Sequence, residues 1–122
     1  MKLGEKAEVT RTCTREMAAA FAGLAGTDAA SIAHVPEPLI AALFSYLLGV
    51  KLPGAGTNYL KQEMTFTGAA KFGEALTASV EVARIRAEKD LVDLDTVCRT
   101  DTGREICRGR ALVLVTDVGA TS

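Results

Sequence analysis

His34 is the only imidazole in the sequence, and imidazole is the side chain whose ordinary pKa lets it give and take protons near neutrality. An acid, Asp28, stands six residues before it. Taken alone, His34 reads as a loop residue beside a helix start and Asp28 as a turn residue or local cap. Any functional reading of Asp28 therefore depends on His34. Ser45 sits in an apolar helix, where its hydroxyl is expected to bond a carbonyl one turn back. Glu37 stands at that helix's entrance. Cys13, Cys98 and Cys107 are an odd number without metal-ligand spacing, so they are expected to be free thiols packed as small core residues. Arg108 and Arg110 alternate with Cys107, Gly109 and Ala111 and predict an exposed strand face, while Glu88, Lys89 and Asp90 predict a solvated turn.

These residues need a frame, and 122 residues with 48% hydrophobic and 24% charged content are enough for one domain, residues 1–122, with a packed core. A net charge of -1, with Lys and Arg scattered along the chain, argues against a nucleic-acid partner, which would need a clustered basic surface. The first seven residues lack the apolar stretch of a secretory signal. The longest apolar run, residues 39–50, is too short to span a bilayer. A cytoplasmic location without membrane partners is expected.

Residues 6–13 alternate as a strand, with Ala7 and Val9 against Glu8 and Thr10. Thr14 then predicts an N-cap for a helix to Ala25, with Met17, Phe21 and Leu24 as its apolar stripe and Gly26 just beyond its end. Pro36 and Pro38 fit the first turn of a second helix, residues 37–48, because their missing N–H groups would be unpaired there anyway. That helix is apolar nearly all round, which predicts burial on most faces, and Gly49 marks its end. From Tyr59 the period becomes two: Leu60, Gln62, Met64 and Phe66 alternate with Tyr59, Lys61, Glu63 and Thr65, and Tyr59 and Gln62 read as ordinary strand residues. Three more strands follow at about residues 75–86, 91–99 and 104–117, the last two joined by the hairpin signal Asp101-Thr102-Gly103. One buried helix followed by a run of strands predicts an α+β fold, an antiparallel sheet curled about the helix.

The run from Leu39 to Gly49, continued by Leu52-Pro53-Gly54, Gly56-Thr57, Tyr59-Leu60-Lys61-Gln62, Phe66, Phe72-Gly73-Glu74 and the strand from Thr77 to Val82, resembles the MaoC-like (R)-specific enoyl-CoA hydratases. The resemblance implies a hot-dog fold, a homodimer joined edge to edge, and hydration or dehydration of an acyl thioester carried by coenzyme A or an acyl carrier protein, with no metal or redox cofactor. In a gapped match either Thr27 or Asp28 takes the position of the family's acid; the resemblance thus implies that Asp28 and His34 form the acid–base pair, that Ser45 supports the site, and that the Glu37 backbone amide binds the thioester oxygen. The chain departs from the family pattern in spacing its pair by six residues instead of five, in lacking the short helical overhang behind it, and in placing Glu37 where a glycine is usual. Two other readings belong to the same fold: a hot-dog thioesterase, with Glu37 as the carboxylate that activates water, and a catalytically silent acyl-thioester binder.

Overall fold

The computed structural model describes residues 1–17, 19, 35–54 and 56–115. Five strands form one antiparallel sheet: β1 (Lys6–Thr12), β2 (Thr57–Phe66), β3 (Ala75–Arg86), β4 (Leu91–Thr100) and β5 (Glu105–Val115), in spatial order β1-β3-β4-β5-β2. Helix α1 (Glu37–Tyr46) lies against one face of the sheet and continues into a wider π-helical turn, Leu47–Lys51. The alternation in β3 and β4 sends Ala78, Val80, Val82, Leu94 and Cys98 into the core, where they are fully or almost fully buried beneath Ile40, Phe44, Leu47 and Leu48. Removing a side chain the size of Phe44 from water contributes about 1.5–3 kcal/mol.

The β3–β4 turn is a short 3₁₀ segment, Ala87–Lys89, closed by Asp90 at φ 55°. The β4–β5 turn bears out the predicted hairpin: the Thr100 N–H donates to the Arg104 carbonyl at 2.9 Å, and Gly103 takes the positive φ of 87° that a side chain would disfavour. Between β2 and β3 the chain crosses one end of the sheet. There the Val35 N–H donates to Ala70 O at 2.9 Å and the Gly73 N–H to Cys13 O at 3.1 Å, which ties the helix entrance and the end of β1 to this crossover.

Three expectations change. The helix is not buried on most faces: Ala42, Ser45 and Tyr46 are exposed, because the curled sheet of one chain covers only the side bearing Ile40 and Phe44. Gly49 does not end it, since the Leu52 N–H reaches back five residues to Leu47 O at 2.8 Å and widens the last turn. Leu60 does not share the inward set of Gln62, Met64 and Phe66. Tyr59 pairs with Val113 and Lys61 with Leu112, so Leu60 is the extra residue of a bulge and stays exposed. The predicted helix after Thr14 begins at residues 15–17, and the Met17 N–H donates to the Thr14 hydroxyl at 3.3 Å as an N-cap should. Phe21, Leu24 and Gly26 lie outside the described residues.

Candidate active site

The entrance of α1 is short of backbone donors for a reason written in its sequence. Pro36 is the N-cap residue, in extended conformation, and no side chain caps the helix. Pro38 has no N–H to offer. The Leu39 N–H donates to Pro36 O at 3.0 Å. That leaves the Glu37 N–H as the first-turn amide with no backbone acceptor among the described residues. An unpaired donor at the positive end of a helix dipole is suited to a carbonyl oxygen that gains negative charge. The Glu37 carboxylate is exposed at the same end.

Ser45 lies on the uncovered side of α1, two turns beyond Glu37, and its hydroxyl makes no hydrogen bond within the described residues. The expected bond to a carbonyl one turn back is absent, so the hydroxyl is free for another partner. Asp28 and His34 lie outside the described residues. On another flank of α1 an apolar cleft of about 180 Å³ runs between the helix and the end of β1, lined by Cys13, Met17, Val35, Leu39, Leu43 and Leu76, with Arg11 at its rim. Sequence reasoning missed this cleft. The shared parity of Val9, Arg11 and Cys13 puts Arg11 on the same side of the edge strand β1 as the two buried residues, but this alone does not announce a cleft. The Arg11 guanidinium sits over the Tyr46 ring, 5.8 Å from its centre.

The other candidates are structural. Cys98 and Cys107 stand directly opposite each other in the β4–β5 ladder as buried free thiols. Burial pushes Cys98 up to about 12 and Cys107 to about 11, with the Cys107 charge adding to desolvation for Cys98 and the Glu105 charge adding to it for Cys107. Burial also raises the Cys13 thiol. Arg108 and Arg110 are exposed, as expected, and already paired: Arg108 with Glu105, and Arg110 with Asp95 at 3.0 Å. Among the described residues no group of three or more His, Cys, Asp or Glu side chains could hold a metal ion. Two polar atoms on the inner side were not foreseen, the Thr96 hydroxyl and the Gln62 amide nitrogen, both buried without a partner.

No protein-family model matches the chain. Curated relatives do. The (R)-specific enoyl-CoA hydratase of Aeromonas caviae is 34% identical over 126 residues, covering 93% of this chain and 94% of the relative. That of Rhodospirillum rubrum is 31% identical over 130 residues, covering 94% and 88%. The chain belongs to the (R)-specific enoyl-CoA hydratase family. The solved structure of the (R)-hydratase from A. caviae involved in PHA biosynthesis superposes with a TM-score of 0.86, at 34% identity, over 94% of this chain and 97% of that one. Membership in the (R)-specific enoyl-CoA hydratase family, and with it the hot-dog arrangement of a half-barrel sheet about one helix, is what the run from Leu39 to Gly49 implied.

Proposed function

We propose that this chain adds water across the 2,3-double bond of an enoyl thioester to give the (R)-3-hydroxyacyl thioester, and catalyses the reverse elimination. The observation that carries the reading is identity of 31–34% to hydratases across almost the whole chain. In the forward direction a base takes a proton from water as its oxygen bonds to C3. The π electrons move toward the thioester oxygen, and an acid then delivers a proton to C2. Substrate and water account for every atom and electron, so the reaction asks for no redox cofactor.

Asp28 and His34 take the two proton transfers in this reading, supported by their being the acid and the imidazole of the segment where the resemblance puts that chemistry. The Glu37 N–H, which has no backbone acceptor among the described residues, supports a hydrogen bond to the thioester oxygen, and the Ser45 hydroxyl, without a bond among the described residues, a supporting role in the same site. The thioester carrier is coenzyme A or an acyl carrier protein. A homodimer joined edge to edge belongs to the proposal: β1 and β2 leave two open edges on the sheet, and an open edge invites pairing. A stable monomer in sedimentation at micromolar concentration would rule the dimer out. So does a cytoplasmic location belong to it, consistent with three reduced cysteines and with the lack, among the described residues, of a helix long and apolar enough to cross a membrane.

The six-residue spacing of the pair favours one competing reading, a silent acyl-thioester binder. Asp28→Asn and His34→Ala decide between them. Each should lower hydration of crotonyl-CoA at least ~100-fold while leaving thermal stability near that of the parent. Full activity in both variants would move the chemistry to other residues, and a wild-type protein that binds crotonyl-CoA without hydrating it would establish the binder.

A further inference from the structure

Beside the entrance of α1 stands a cationic and aromatic corner that the proton transfers do not use. Lys71, Phe72, Gly73 and Glu74 form a tight turn, closed by the Glu74 N–H donating to Lys71 O at 3.2 Å, with Gly73 at φ 87°, a conformation that favours glycine. The Lys71 N–H donates to Glu74 Oε1 at 2.7 Å, while Arg104 donates to the same oxygen at 3.0 Å and to Ala69 O at 2.9 Å. The Gly73 bond to Cys13 and the Val35 bond to Ala70 tie this turn to the end of β1 and to the start of α1. Phe72 is half-buried and packs against the core, and the exposed Arg15 guanidinium sits over its ring, 4.8 Å from the centre.

Arg86, Arg99, Arg104, Arg108 and Arg110 each pair with a carboxylate. Among the described residues, neither Arg15 nor the exposed Lys71 ammonium does. The Lys71 N–H, then the Arg104 guanidinium and last the Lys71 charge hold Glu74 below the usual carboxylate range, against some desolvation, so that acid stays committed to the turn. We propose that Arg15 and Lys71 bind the phosphates at the far end of a coenzyme A thioester, with the guanidinium on Phe72 as a platform for its adenine, so that the carrier is coenzyme A and not a carrier protein. The inference rests on the acyl-thioester reading above and adds to it the identity of the carrier. Glu37, whose N–H that reading gives to the thioester oxygen, is two residues from Val35, and Val35 is bonded to the loop that bears Lys71 and Phe72. A thioester seated at the entrance therefore has this corner within reach of its pantetheine arm. A guanidinium offers N–H donors to phosphate and a planar face to a base. Coenzyme A ends in a pyrophosphate, a ribose phosphate and an adenine, which match two free cations and a stacked ring. A carrier protein would instead need a broad basic face, and here Glu16, Glu37 and Glu74 interrupt the positive charge. Cations held on a turn that is fixed before binding lose less freedom when the ligand arrives.

Two thioesters separate this corner from the reacting end: crotonyl-CoA, and crotonyl-N-acetylcysteamine, which stops short of the phosphates. Arg15→Gln should raise KM for crotonyl-CoA roughly 10-fold with kcat held. Arg15→Lys should recover part of that loss, and wild type and variant should converge on the truncated thioester. Lys71→Gln, a change at an exposed side chain, gives the same measurement if Arg15→Gln harms folding. Adenosine 3′,5′-bisphosphate, titrated by calorimetry into wild type, should bind without any turnover, more weakly in either variant and more weakly in salt. A KM for crotonyl-CoA that is unchanged in both variants overturns the proposal, as does a KM that rises alike on both thioesters. Turnover of a crotonyl carrier protein in preference to crotonyl-CoA, with no bisphosphate bound, overturns it too and assigns the corner to a protein. Bisphosphate binding without hydration of either thioester keeps the corner and removes the hydratase. Hydration of crotonyl-CoA with no bisphosphate binding and no effect of either variant does the reverse.

Discussion

The two faces of the sheet are made from the same strands and do opposite things. Inward residues of β3, β4 and β5 are Ala78, Val80, Val82, Leu94, Cys98, Ala111 and Val113, all buried. Their outward neighbours form a ladder of charges: Asp95 opposite Arg110 and Arg99 opposite Glu105 in register, with Arg108 on Glu105, Arg86 on Asp93 and Lys61 on Glu63 along the same surface. The inner face holds the fold by excluding water around α1. The outer face keeps the sheet soluble, and its exposed pairs contribute little each. The contrast locates stability on one side of a layer that is a single strand thick.

Substitutions grade that contrast. Phe44→Ala should cost about 3–5 kcal/mol in chemical denaturation, since it opens a cavity under a fully buried ring. A loss under ~1 kcal/mol would put the helix on the surface. Gly109→Ala should cost at least ~1–3 kcal/mol. A Cβ there would stand 1.8 Å from the Glu63 carbonyl oxygen and 2.8 Å from its carbon, and backbone cannot step aside as a side chain can. An unchanged melting point would mean that β2 and β5 approach less closely.

Thr96→Val tests a polar intrusion on the inner face. Its hydroxyl is buried without a partner, so the change should be neutral or raise stability by up to ~1 kcal/mol; a clear loss would reveal a bonded hydroxyl. Arg110→Ala, on the outer face, should stay within ~1 kcal/mol and shrink further in salt. Glu105 supplies the pH arm of the same comparison. The hydrogen bond from Arg108 holds its carboxyl below the usual range, partly offset by desolvation. Its contribution is therefore present above the ordinary carboxylate pKa and lost as pH falls through the lowered one. Glu105→Gln should flatten that acid limb by lowering stability slightly at neutral pH while leaving it nearly unchanged in acid; an unaltered acid limb would remove Glu105 from it.

Most of this architecture was legible in the sequence because period-two alternation in β3, β4 and β5 leaves little choice of face, and Asp101-Thr102-Gly103 names its own turn. What was not legible depends on contacts between distant residues. The bulge at Leu60 arises from pairing with β5, and nothing in the run of β2 itself announces it. The exposed flank of α1 follows from how far one curled sheet can reach, so an all-apolar helix read as more buried than it is. At the site, Pro36 and Pro38 mark the helix entrance in the sequence, and the Leu39 bond to Pro36 leaves the Glu37 N–H as the first-turn amide without a backbone acceptor among the described residues. The cleft needed Cys13, Leu43 and Leu76 brought together from three elements, which no local pattern encodes. Asp28 and His34 were legible only through the resemblance.

The most direct test of the account is incubation of wild-type protein with crotonyl-CoA, following enoyl absorbance, free thiol and product chirality together. The account predicts loss of absorbance with the thioester intact and (R)-3-hydroxybutyryl-CoA as the product. Release of free coenzyme A would show a hydrolase with Glu37 as the residue to test, and unchanged absorbance with bound substrate would contradict the hydratase reading altogether.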